Sequence, residues 1–374
     1  MHHRRSVGEG PSAAPIRWGG VDRPIDRSEG EVRGHRARAA GGGPWRRWRA
    51  LGCARPSAAG AAPVSAAETI TSALGSRPVA ASWRRLRPGL RILAFHDVPD
   101  AAAFGAQLDE LMPYHSFVSG ADVGAALHRG APLPSDAVWV TFDDGDPSVV
   151  RRALPVLQAR EIPATLYVCP GLLDPPTPPW WTVVERAGRG GGGAEVDGHR
   201  RVGTELVRAL KRVPDSERRR VLASLDPVAA EDDPAPTTVD EVRAWLAAGQ
   251  EVGNHTWDHP CLDRCTPDEQ EAQVVRAHRW LTDLLGRAPQ TFAYPNGDRT
   301  DHVAGLLADL GYETVLLFDH DVAHPAPGGR ELSRLRLDAS APLDRTRAVA
   351  SGAHSDVMRA GARTSALARR VLGR

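Results

Sequence analysis

The sequence predicts an α/β fold in which parallel strands are packed by helices, as either a closed barrel or a doubly wound sheet. From Arg91 onward, short apolar runs alternate with segments of helical spacing. Strand, helix, strand order repeated in this way is typical of parallel sheets. Several of the apolar runs also end abruptly in histidine, aspartate or glycine, as strands do where they open onto a cleft.

The composition of the 374-residue chain is that of a globular protein, with 41% hydrophobic and 25% charged residues. A net charge of +1 does not indicate a class of partner. Lys211 is the only lysine, and we interpret the excess of arginine as genome composition rather than selection for nucleic-acid binding. The four irregularly spaced cysteines are too few for a disulfide framework, so a reduced interior is expected.

Nothing in the sequence predicts a membrane segment. No run approaches the roughly 20 apolar residues of a membrane span, and the N-terminus lacks the apolar core of a secretory signal peptide. We therefore expect a cytoplasmic protein, with action outside the cell or at the cell envelope as the alternative. The sequence does not indicate an oligomeric state.

The chain divides into three predicted parts. Residues 1–65 are rich in Arg, Gly and Ala, lack a hydrophobic period and are expected to be disordered. Residues 66–352 form the folded domain, beginning with an amphipathic stretch and interrupted by a helical insertion at about 172–235. Residues 353–374 are predicted to form a C-terminal helix.

The first half of the folded domain shows the alternation most clearly. The β-branched run Val138–Phe142 predicts a buried strand, and Pro147 begins the helix that follows it. The other predicted elements here are strands at Ile92–Phe95 and Ala164–Val168 and helices at Phe104–Met112 and Gly120–His128.

The insertion is predicted from a loss of this regularity. Proline-rich residues 175–179 and a glycine-rich stretch near 190 indicate loops. Helical segments within the insertion are predicted near Trp181–Arg186, Thr204–Val213 and Asp215–Leu225.

The alternation resumes after the insertion. Thr238 caps a helix that stops at Gly249, and Thr266 caps a long helix over Pro267–Leu285 with an acidic first turn. The remaining predicted elements are strands at Glu251–Gly253, Thr291–Tyr294, Thr314–Phe318 and Arg334–Leu337 and a helix at His302–Leu310.

Two adjacent carboxylates, Asp143 and Asp144, end the strand at Val138–Phe142 and precede Gly145. Neighbouring acids ionise together with difficulty, so such a pair is costly unless a cation or a proton transfer uses it. An exposed hairpin turn is the alternative interpretation of this short pattern. The pair is therefore a candidate site.

His255 and His259 place two imidazoles four residues apart, where a helical turn or tight loop directs both to one divalent ion. Two exposed or capping histidines are the alternative. With Asp144 as third ligand, the set leaves positions open for water and substrate. Asp143 is then free to act as general base toward an attacking water, which predicts hydrolysis of an amide or ester.

Two cysteines close to this pair allow a different site. Cys261 and Cys265 follow His259, so a structural zinc site built from both histidines and both thiols is an alternative. That alternative leaves Asp143 and Asp144 without a role.

Three segments, in order, resemble the motifs of NodB-type polysaccharide deacetylases of carbohydrate esterase family four. They are Thr141–Gly145, His255–His259 and Phe292–Gly297, and Phe95–Val98 is similar to the end of that family's first strand. The resemblance spans about residues 90–337. It implies a distorted (β/α) barrel that removes acetyl groups from N-acetylated glycans with the help of a divalent metal, zinc first, with cobalt or another divalent ion as alternatives.

The resemblance also implies residue roles. Asp143 would be the base; Asp144, His255 and His259 would bind the metal; Tyr294, Pro295 and Asn296 would bind substrate, with the Asn296 backbone N–H at the oxyanion. Trp180 and Trp181, together with the form of the third motif, resemble the branch associated with bacterial exopolysaccharide synthesis or modification.

The chain departs from the family pattern twice. Ala293 stands where many members have an arginine that orients the catalytic aspartate, and we hypothesise that Arg334 or Arg336 supplies that charge. The late Leu-x-x-His segment that provides the family's general acid has no clear copy. His96 is predicted to be the acid because it follows a strand, with His320 and His324 as alternatives.

The sequence therefore predicts a metal-dependent deacetylase. The first alternative is a glycan-binding or scaffold protein that keeps the fold but has lost turnover, as the two departures allow. A further alternative is nucleic-acid binding through the arginine-rich tail.

Overall fold

The computed structural model describes residues 66–231 and 233–356. The predicted disordered tail, residues 1–65, lies outside the described residues. Within the predicted C-terminal helix, residues 353–356 are helical, and residues 357–374 lie outside the described part of the chain.

The strands that define the fold belong to one nine-stranded sheet in which every pairing is parallel. They are β1 (Arg91–Phe95), β2 (Ser116–Phe117), β3 (Ala137–Phe142), β4 (Ala164–Val168), β7 (Glu251–Asn254), β8 (Thr291–Ala293), β9 (Thr314–Leu316), β10 (Glu331–Leu332) and β11 (Leu335–Arg336). Their order is β10-β9-β8-β7-β4-β3-β1-β11, with β2 paired to β3. The remaining strands, β5 (Ala194–Val196) and β6 (His199–Arg201), form an antiparallel hairpin.

Helices connect the strands as expected for a parallel sheet. They are α1 (Ala66–Leu74), α2 (Arg77–Leu86), α3 (Ala101–Leu111), α4 (Gly120–Arg129), α5 (Leu154–Gln158), α6 (Trp180–Arg189), α7 (Gly203–Leu210), α8 (Asp215–Ala223), α9 (Val239–Ala247), α10 (Pro267–Leu285), α11 (Asp301–Asp309) and α12 (Leu343–Ala350). Thr238 and Thr266 form capping boxes at α9 and α10, as the sequence predicts. None of the helices in the described residues is both long and apolar enough to cross a membrane.

The sheet curls into a distorted barrel. Its two edge strands, β10 and β11, are separated in the chain by only Ser333 and Arg334. A two-residue connection can join opposite edges only if the sheet bends until those edges meet, because each residue spans at most about 3.6 Å. The predicted barrel is therefore confirmed, and the doubly wound alternative is wrong.

The central strands have the composition of strands covered on both faces. All residues of β1 and β3 are buried, which is why these strands appear in the sequence as continuous apolar runs rather than alternating ones. Phe95 on β1 contacts Phe104 of α3 edge to face at 5.4 Å, and Phe142 on β3 contacts Trp245 of α9 at 5.9 Å. These aromatic contacts pack β1 against α3 and β3 against α9.

The segment predicted as an insertion contains α6, α7, α8 and the β5–β6 hairpin. It has a hydrophobic cluster of its own, separate from the clusters inside the barrel, formed by Trp180, Val184, Val196, Leu206, Val207, Ala209, Leu210, Val213 and Val221. We call these three helices and the hairpin the helical lobe. The predicted domain boundaries themselves stay a prediction.

Candidate active site

The candidate site lies at the carboxyl ends of neighbouring strands. His96 follows β1, Asp143 follows β3, His255 follows β7 and Tyr294 follows β8. Because the strands are parallel and adjacent, their carboxyl ends share one edge of the barrel, where sites of such folds form. Backbone hydrogen bonds extend the ladder into the site, since Asp143 N–H donates to Phe95 O at 2.9 Å.

Asp144, His255 and His259 converge on one point. Oδ1 of Asp144 lies 3.3 Å from Nε2 of His255 and 3.2 Å from Nε2 of His259. The three ligand atoms all lie within 4.8 Å of one another. Within the described residues, these three side chains therefore form a cluster that could hold a metal ion. The structure thus brings together the three residues predicted as metal ligands.

The donor chemistry of this group fits a divalent cation. Nδ1 of His255 lies 2.7 Å from the carbonyl oxygen of Ala293, so Nδ1 carries the hydrogen and the neutral ring presents a lone pair at Nε2. Buried Oδ1 of Asp144 has no hydrogen-bond donor among the described residues. A carboxylate oxygen and two imidazole nitrogens facing one another without a shared proton form a set that a divalent ion satisfies.

The two imidazoles differ electrostatically. Burial alone would lower the pKa of His255, but the charges of Asp143 and Asp144 raise it above its ordinary value. Burial lowers the pKa of His259, and the positive charges of His255 and Lys211 act in the same direction. Burial would raise the pKa of Asp144, but the histidines beside it bring that pKa well below its usual range. Asp144 is therefore ionised and the His259 ring is neutral, which are the forms in which these groups bind a metal.

Four residues of the three motifs other than glycine have a left-handed backbone. The φ angles are 69° at Asp144, 70° at Thr256, 59° at His259 and 54° at Asn296. Such conformations cost on the order of 1–3 kcal/mol each in non-glycine residues and concentrate at functional sites. Left-handed residues in all three motifs therefore mark this region as a candidate site.

Asp143 is 2% exposed and makes a bidentate ion pair with Arg334, which is fully buried. Nη1 of Arg334 donates to Oδ1 at 2.7 Å and Nη2 donates to Oδ2 at 2.8 Å. Nε of Arg334 donates to the carbonyl oxygen of Leu317, so the guanidinium is fixed from both sides. Burial would raise the pKa of Asp143, but the charges of Arg334, His255 and His96 and the hydrogen bonds from Arg334 together lower it.

Arg334 and Arg336 are the two arginines that the sequence offers for orienting Asp143. The structure places Arg334 against Asp143, whereas Arg336 is partly exposed and its Nη2 lies 3.5 Å from Asp338 Oδ1. Ala293, at the position where the family pattern has arginine, contributes its carbonyl oxygen to His255 instead. The orienting role of Arg334 stays a prediction that this geometry supports.

Of the histidines considered as general acid, His96 and His320 both lie against the ring of Phe318. The ring of His96 lies 5.6 Å from that of Phe318, and the ring of His320 lies 5.1 Å from it. Burial lowers the pKa of both, that of His320 to about 4, while Asp144 and Asp143 oppose the shift at His96. His324 is exposed.

The third motif contributes mainly backbone. Tyr294 is fully buried, and its ring packs against Phe292 at 5.1 Å, so the side chain predicted to bind substrate lies within the barrel wall. Pro295 is buried and starts a short 3₁₀ turn over Pro295–Gly297. Asn296 is half-buried at the centre of that turn.

The thiols do not form the alternative zinc site. The ligand atoms that converge in the described residues are those of Asp144, His255 and His259, without a sulfur. Cys261 is buried and burial raises its pKa to about 12, which disfavours the thiolate needed for zinc.

Several supporting residues were not identifiable from the motifs. Gln273 of α10 accepts hydrogen bonds from the backbone N–H groups of Trp257 and Asp258 at 3.0 and 3.1 Å, and donates to Asp258 Oδ1 at 2.9 Å. Asn254, immediately before His255, accepts from Thr256 N–H and donates to the Tyr312 hydroxyl. A polar residue on the buried face of a helix was the signal available in the sequence for Gln273.

The helical lobe also contacts the motifs directly. Trp180 Nε1 donates to the carbonyl oxygen of His259 at 3.1 Å, and the Trp181 ring lies 4.7 Å from the His259 ring. Arg219 donates to both carboxylate oxygens of Asp258, and Lys211 donates to Asn296 Oδ1. The lobe is thus one wall of the candidate site.

A barrel of parallel strands with an Asp-His-His group at its carboxyl edge and an arginine-paired aspartate beside it defines an α/β-barrel protein of hydrolase type. Residues 130–315 match the family model for polysaccharide deacetylases. The chain belongs to the polysaccharide deacetylase family.

Curated relatives match a short part of the chain. Chitin deacetylase 1 of Cryptococcus neoformans is 35% identical over 69 residues, 18% of this chain and 15% of that protein. Chitooligosaccharide deacetylase of Bradyrhizobium is 36% identical over 75 residues, 20% of this chain and 34% of that protein. The matches therefore span well under half the length of either relative.

Among solved structures, Streptococcus pyogenes deacetylase PplD, in complex with acetate, has a TM-score of 0.50 and 19% sequence identity to this chain. The match covers 69% of this chain and 96% of that one. At 19% sequence identity, this likeness shows that the two proteins share a fold.

Proposed function

We propose that this protein is a metal-dependent hydrolase that removes acetyl groups from an N-acetylated glycan. The observation that carries the proposal is the buried arrangement in which Asp144, His255 and His259 converge while Asp143 is held by Arg334. Asp143 is paired with Arg334 and Asp144 with the two histidines, so the two adjacent carboxylates have different environments. Different environments allow neighbouring carboxylates to take different chemical roles.

Asp144, His255 and His259 would hold the divalent ion, for which we propose zinc, with cobalt as an active substitute. When bound, such an ion supplies Lewis acidity that polarises an amide carbonyl and lowers the pKa of water. The hydrogen bond of His255 Nδ1 to the Ala293 carbonyl oxygen fixes the ring with Nε2 toward Asp144 Oδ1, where it would be available as a ligand.

The chain's own residues perform the proton transfers. Asp143 accepts the proton of the attacking water, and the fork of Arg334 fixes both carboxylate oxygens so that their remaining lone pairs keep one orientation. The Asn296 backbone N–H donates to the oxygen that becomes negative as water adds to the carbonyl. His96 donates a proton to the departing amine.

We propose a β-linked N-acetylglucosamine polymer or its precursor as the substrate. The names of the two curated relatives support this class, and the third motif with Trp180 and Trp181 supports an exopolysaccharide. An aromatic ring beside the site, such as partly exposed Trp181, provides an apolar surface that suits a sugar face.

The direct test is release of acetate from N-acetylglucosamine oligomers by the zinc- or cobalt-loaded protein. Wild type is expected to release acetate, and Asp143→Asn is expected to lose it by at least about 10³-fold while keeping its metal content. Absence of acetate release across a panel of N-acetylated and O-acetylated glycans would remove the proposal. Equal activity of Asp143→Asn and wild type would remove the role of Asp143.

The alternative of a scaffold without turnover is not favoured. One of its two supports is the missing arginine of the third motif, and buried Arg334 supplies a guanidinium to Asp143 from the connection between β10 and β11. The second support for the scaffold alternative is the missing late histidine that provides the general acid in the family. Comparing the turnover of His96→Gln with that of His320→Gln shows which of these histidines acts as the acid.

A further inference from the structure

Lys211 is a singular residue in this chain, the only lysine among 47 lysine and arginine side chains. Every other basic position is arginine, so a basic residue needed only for solubility would be expected to be arginine as well. Lysine differs because its ammonium is a compact donor on a flexible stem, whereas arginine presents a planar fork suited to carboxylates and phosphates. The position of Lys211 therefore calls for a specific explanation.

The fold anchors Lys211 firmly. It is the C-cap residue of α7 and its backbone N–H bonds to Val207 and Ala209 carbonyl groups. Leu206, Val207, Ala209 and Leu210 on the same helix are buried in the hydrophobic cluster of the helical lobe. The start of the Lys211 side chain is thus fixed by the lobe, and its half-buried stem extends toward the third motif.

The ammonium of Lys211 ends on Asn296, with Nζ donating to Oδ1 at 2.8 Å. The other side of the same amide faces two acceptors, Asp298 Oδ2 at 3.3 Å and the Cys261 sulfur at 3.6 Å from Nδ2. The Asn296 side chain is therefore held at both ends, although its backbone has a left-handed φ of 54°. A side-chain amide restrained in this way limits rotation of the peptide groups on either side of it.

We propose that Lys211 is a positioning residue that fixes the turn at Asn296 from the helical lobe, so that the backbone N–H of this turn is aligned with the oxyanion. The inference rests on the proposed deacetylase function. It gives the lobe a part in the chemistry: Trp180 and Arg219 hold the second motif, and Lys211 holds the third. A donor that is misplaced by even a fraction of an ångström loses much of its effect on a transition state.

The test compares Lys211→Met, which keeps most of the stem but removes the donor, with Arg208→Met as a matched control. Arg208 lies on α7, is exposed and has no ion pair among those described. We expect Lys211→Met to lower kcat roughly 10- to 100-fold with KM within about twofold, and Arg208→Met to change neither. Lys211→Gln, which is too short to reach Asn296, is expected to match Lys211→Met.

A double-variant cycle with Asn296→Gly identifies the partner. Glycine accepts the left-handed backbone at this position, so Asn296→Gly removes the side chain without new strain. If Lys211 acts through that side chain, the double variant loses no more kcat than Asn296→Gly alone. Losses that multiply would show that Lys211 acts elsewhere and would overturn the proposal.

A readout independent of turnover completes the test. We expect amide hydrogen exchange in residues 294–298 to be at least about threefold faster in Lys211→Met than in wild type and unchanged in Arg208→Met. Unchanged exchange, or a kcat within twofold of wild type, would contradict the proposal, as would a loss of activity that matches a loss of metal content. If the wild type releases no acetate, the proposed function fails while the exchange measurement still decides the role of Lys211.

Discussion

Asp143 and Arg334 are separated by 191 residues in sequence, yet their charged groups meet at 2.7 Å inside the barrel. The sequence indicated that Asp143 needs a positive partner and limited the choice to Arg334 or Arg336. These two positions are two residues apart on a predicted strand, so alternation alone places both on one face. The choice depends on Arg334 lying between β10 and β11, where the chain crosses from one sheet edge to the other.

Removing Arg334 is expected to weaken the fold as well as catalysis. Arg334→Met leaves the Asp143 carboxylate buried and unpaired, so the free energy of unfolding should fall by about 3–5 kcal/mol. Arg336→Met is the matched control and should change it by less than about 1 kcal/mol, because Arg336 is partly exposed. Urea unfolding of the metal-free proteins measures both values.

A double variant that also changes Asp143 checks the cause of this loss of stability. Asp143→Asn combined with Arg334→Met should recover part of the lost stability, because no unpaired carboxylate remains. Similar losses for Arg334→Met and Arg336→Met would contradict the assignment of Arg334 as the buried partner.

Tyr294 illustrates a limit of motif comparison at the same scale. The resemblance implies that the third motif binds substrate, but the Tyr294 ring is fully buried beside Phe292. Residues two apart on a strand share a face, which explains why these two aromatic rings pack together. Side-chain direction follows from local periodicity, whereas a motif indicates only which segment is near the site.

At the scale of elements, the sequence predicted the long, buried strands and missed the two-residue strands β2 and β10. β3 and β4 have five or six consecutive buried residues, and such runs are visible without any partner strand. β2 and β10 contain two residues each, too few to show any periodicity. These short strands exist because the neighbouring strand supplies hydrogen-bonding groups, which is tertiary information.

Helix α10 is expected to support the second motif through Gln273. Gln273→Ala leaves the half-buried N–H groups of Trp257 and Asp258 without their acceptor, so metal affinity should fall about 10- to 100-fold. Glu271→Ala, an exposed change on the same helix, is the control and should leave affinity unchanged. Competitive zinc titration with a chromogenic chelator measures the difference, and equal affinities would exclude a supporting role for Gln273.

Two glycines in regular elements are expected to respond to alanine in opposite directions. A Cβ at Gly253 on β7 would overlap the Tyr167 ring and lie 2.6 Å from Thr291 Oγ1, so Gly253→Ala should destabilise the fold by about 1–3 kcal/mol. Gly305 lies inside α11 with no atom within 4 Å of an added Cβ, so Gly305→Ala should stabilise by about 0.5–1 kcal/mol.

Thermal unfolding checks both signs in one experiment. A Tm for Gly253→Ala equal to or above that of wild type would show that the β4–β7 interface has room that the packing does not indicate. A lower Tm for Gly305→Ala would show that the helix does not tolerate the methyl group.

At the scale of the whole molecule, the sequence predicted a barrel and an insertion but not how they meet. The contacts of the helical lobe with His259, Asp258 and Asn296 join segments that are tens of residues apart, and none of them leaves a periodic pattern in the sequence. The sequence shows that Lys211 is the only lysine in an arginine-rich chain, but it does not show that Lys211 contacts Asn296.

Metal binding is expected to stabilise the whole domain. A ligand that binds only the folded state at 1,000 times its Kd contributes about 4 kcal/mol, so zinc should raise the Tm of wild type by several degrees. His255→Ala and His259→Ala should remove this rise, because each deletes one of the three convergent ligand atoms. Cys265→Ser is the control and should keep it. A zinc-dependent rise that survives in His255→Ala and is lost in Cys265→Ser would favour a thiol site.

The crossing between β10 and β11 has a consequence for the order in which the site is made. On the ribosome, Asp143, Asp144, His255, His259 and Asn296 are all synthesised before Arg334. The aspartate proposed as base therefore lacks its countercharge until ten of the eleven strands seen in the described residues have been translated. Pairing of β11 with β1 completes the barrel wall, and the residues just before β11 carry the guanidinium of Arg334 to Asp143. Closure of the barrel and the countercharge of Asp143 therefore depend on the same short, late-translated segment.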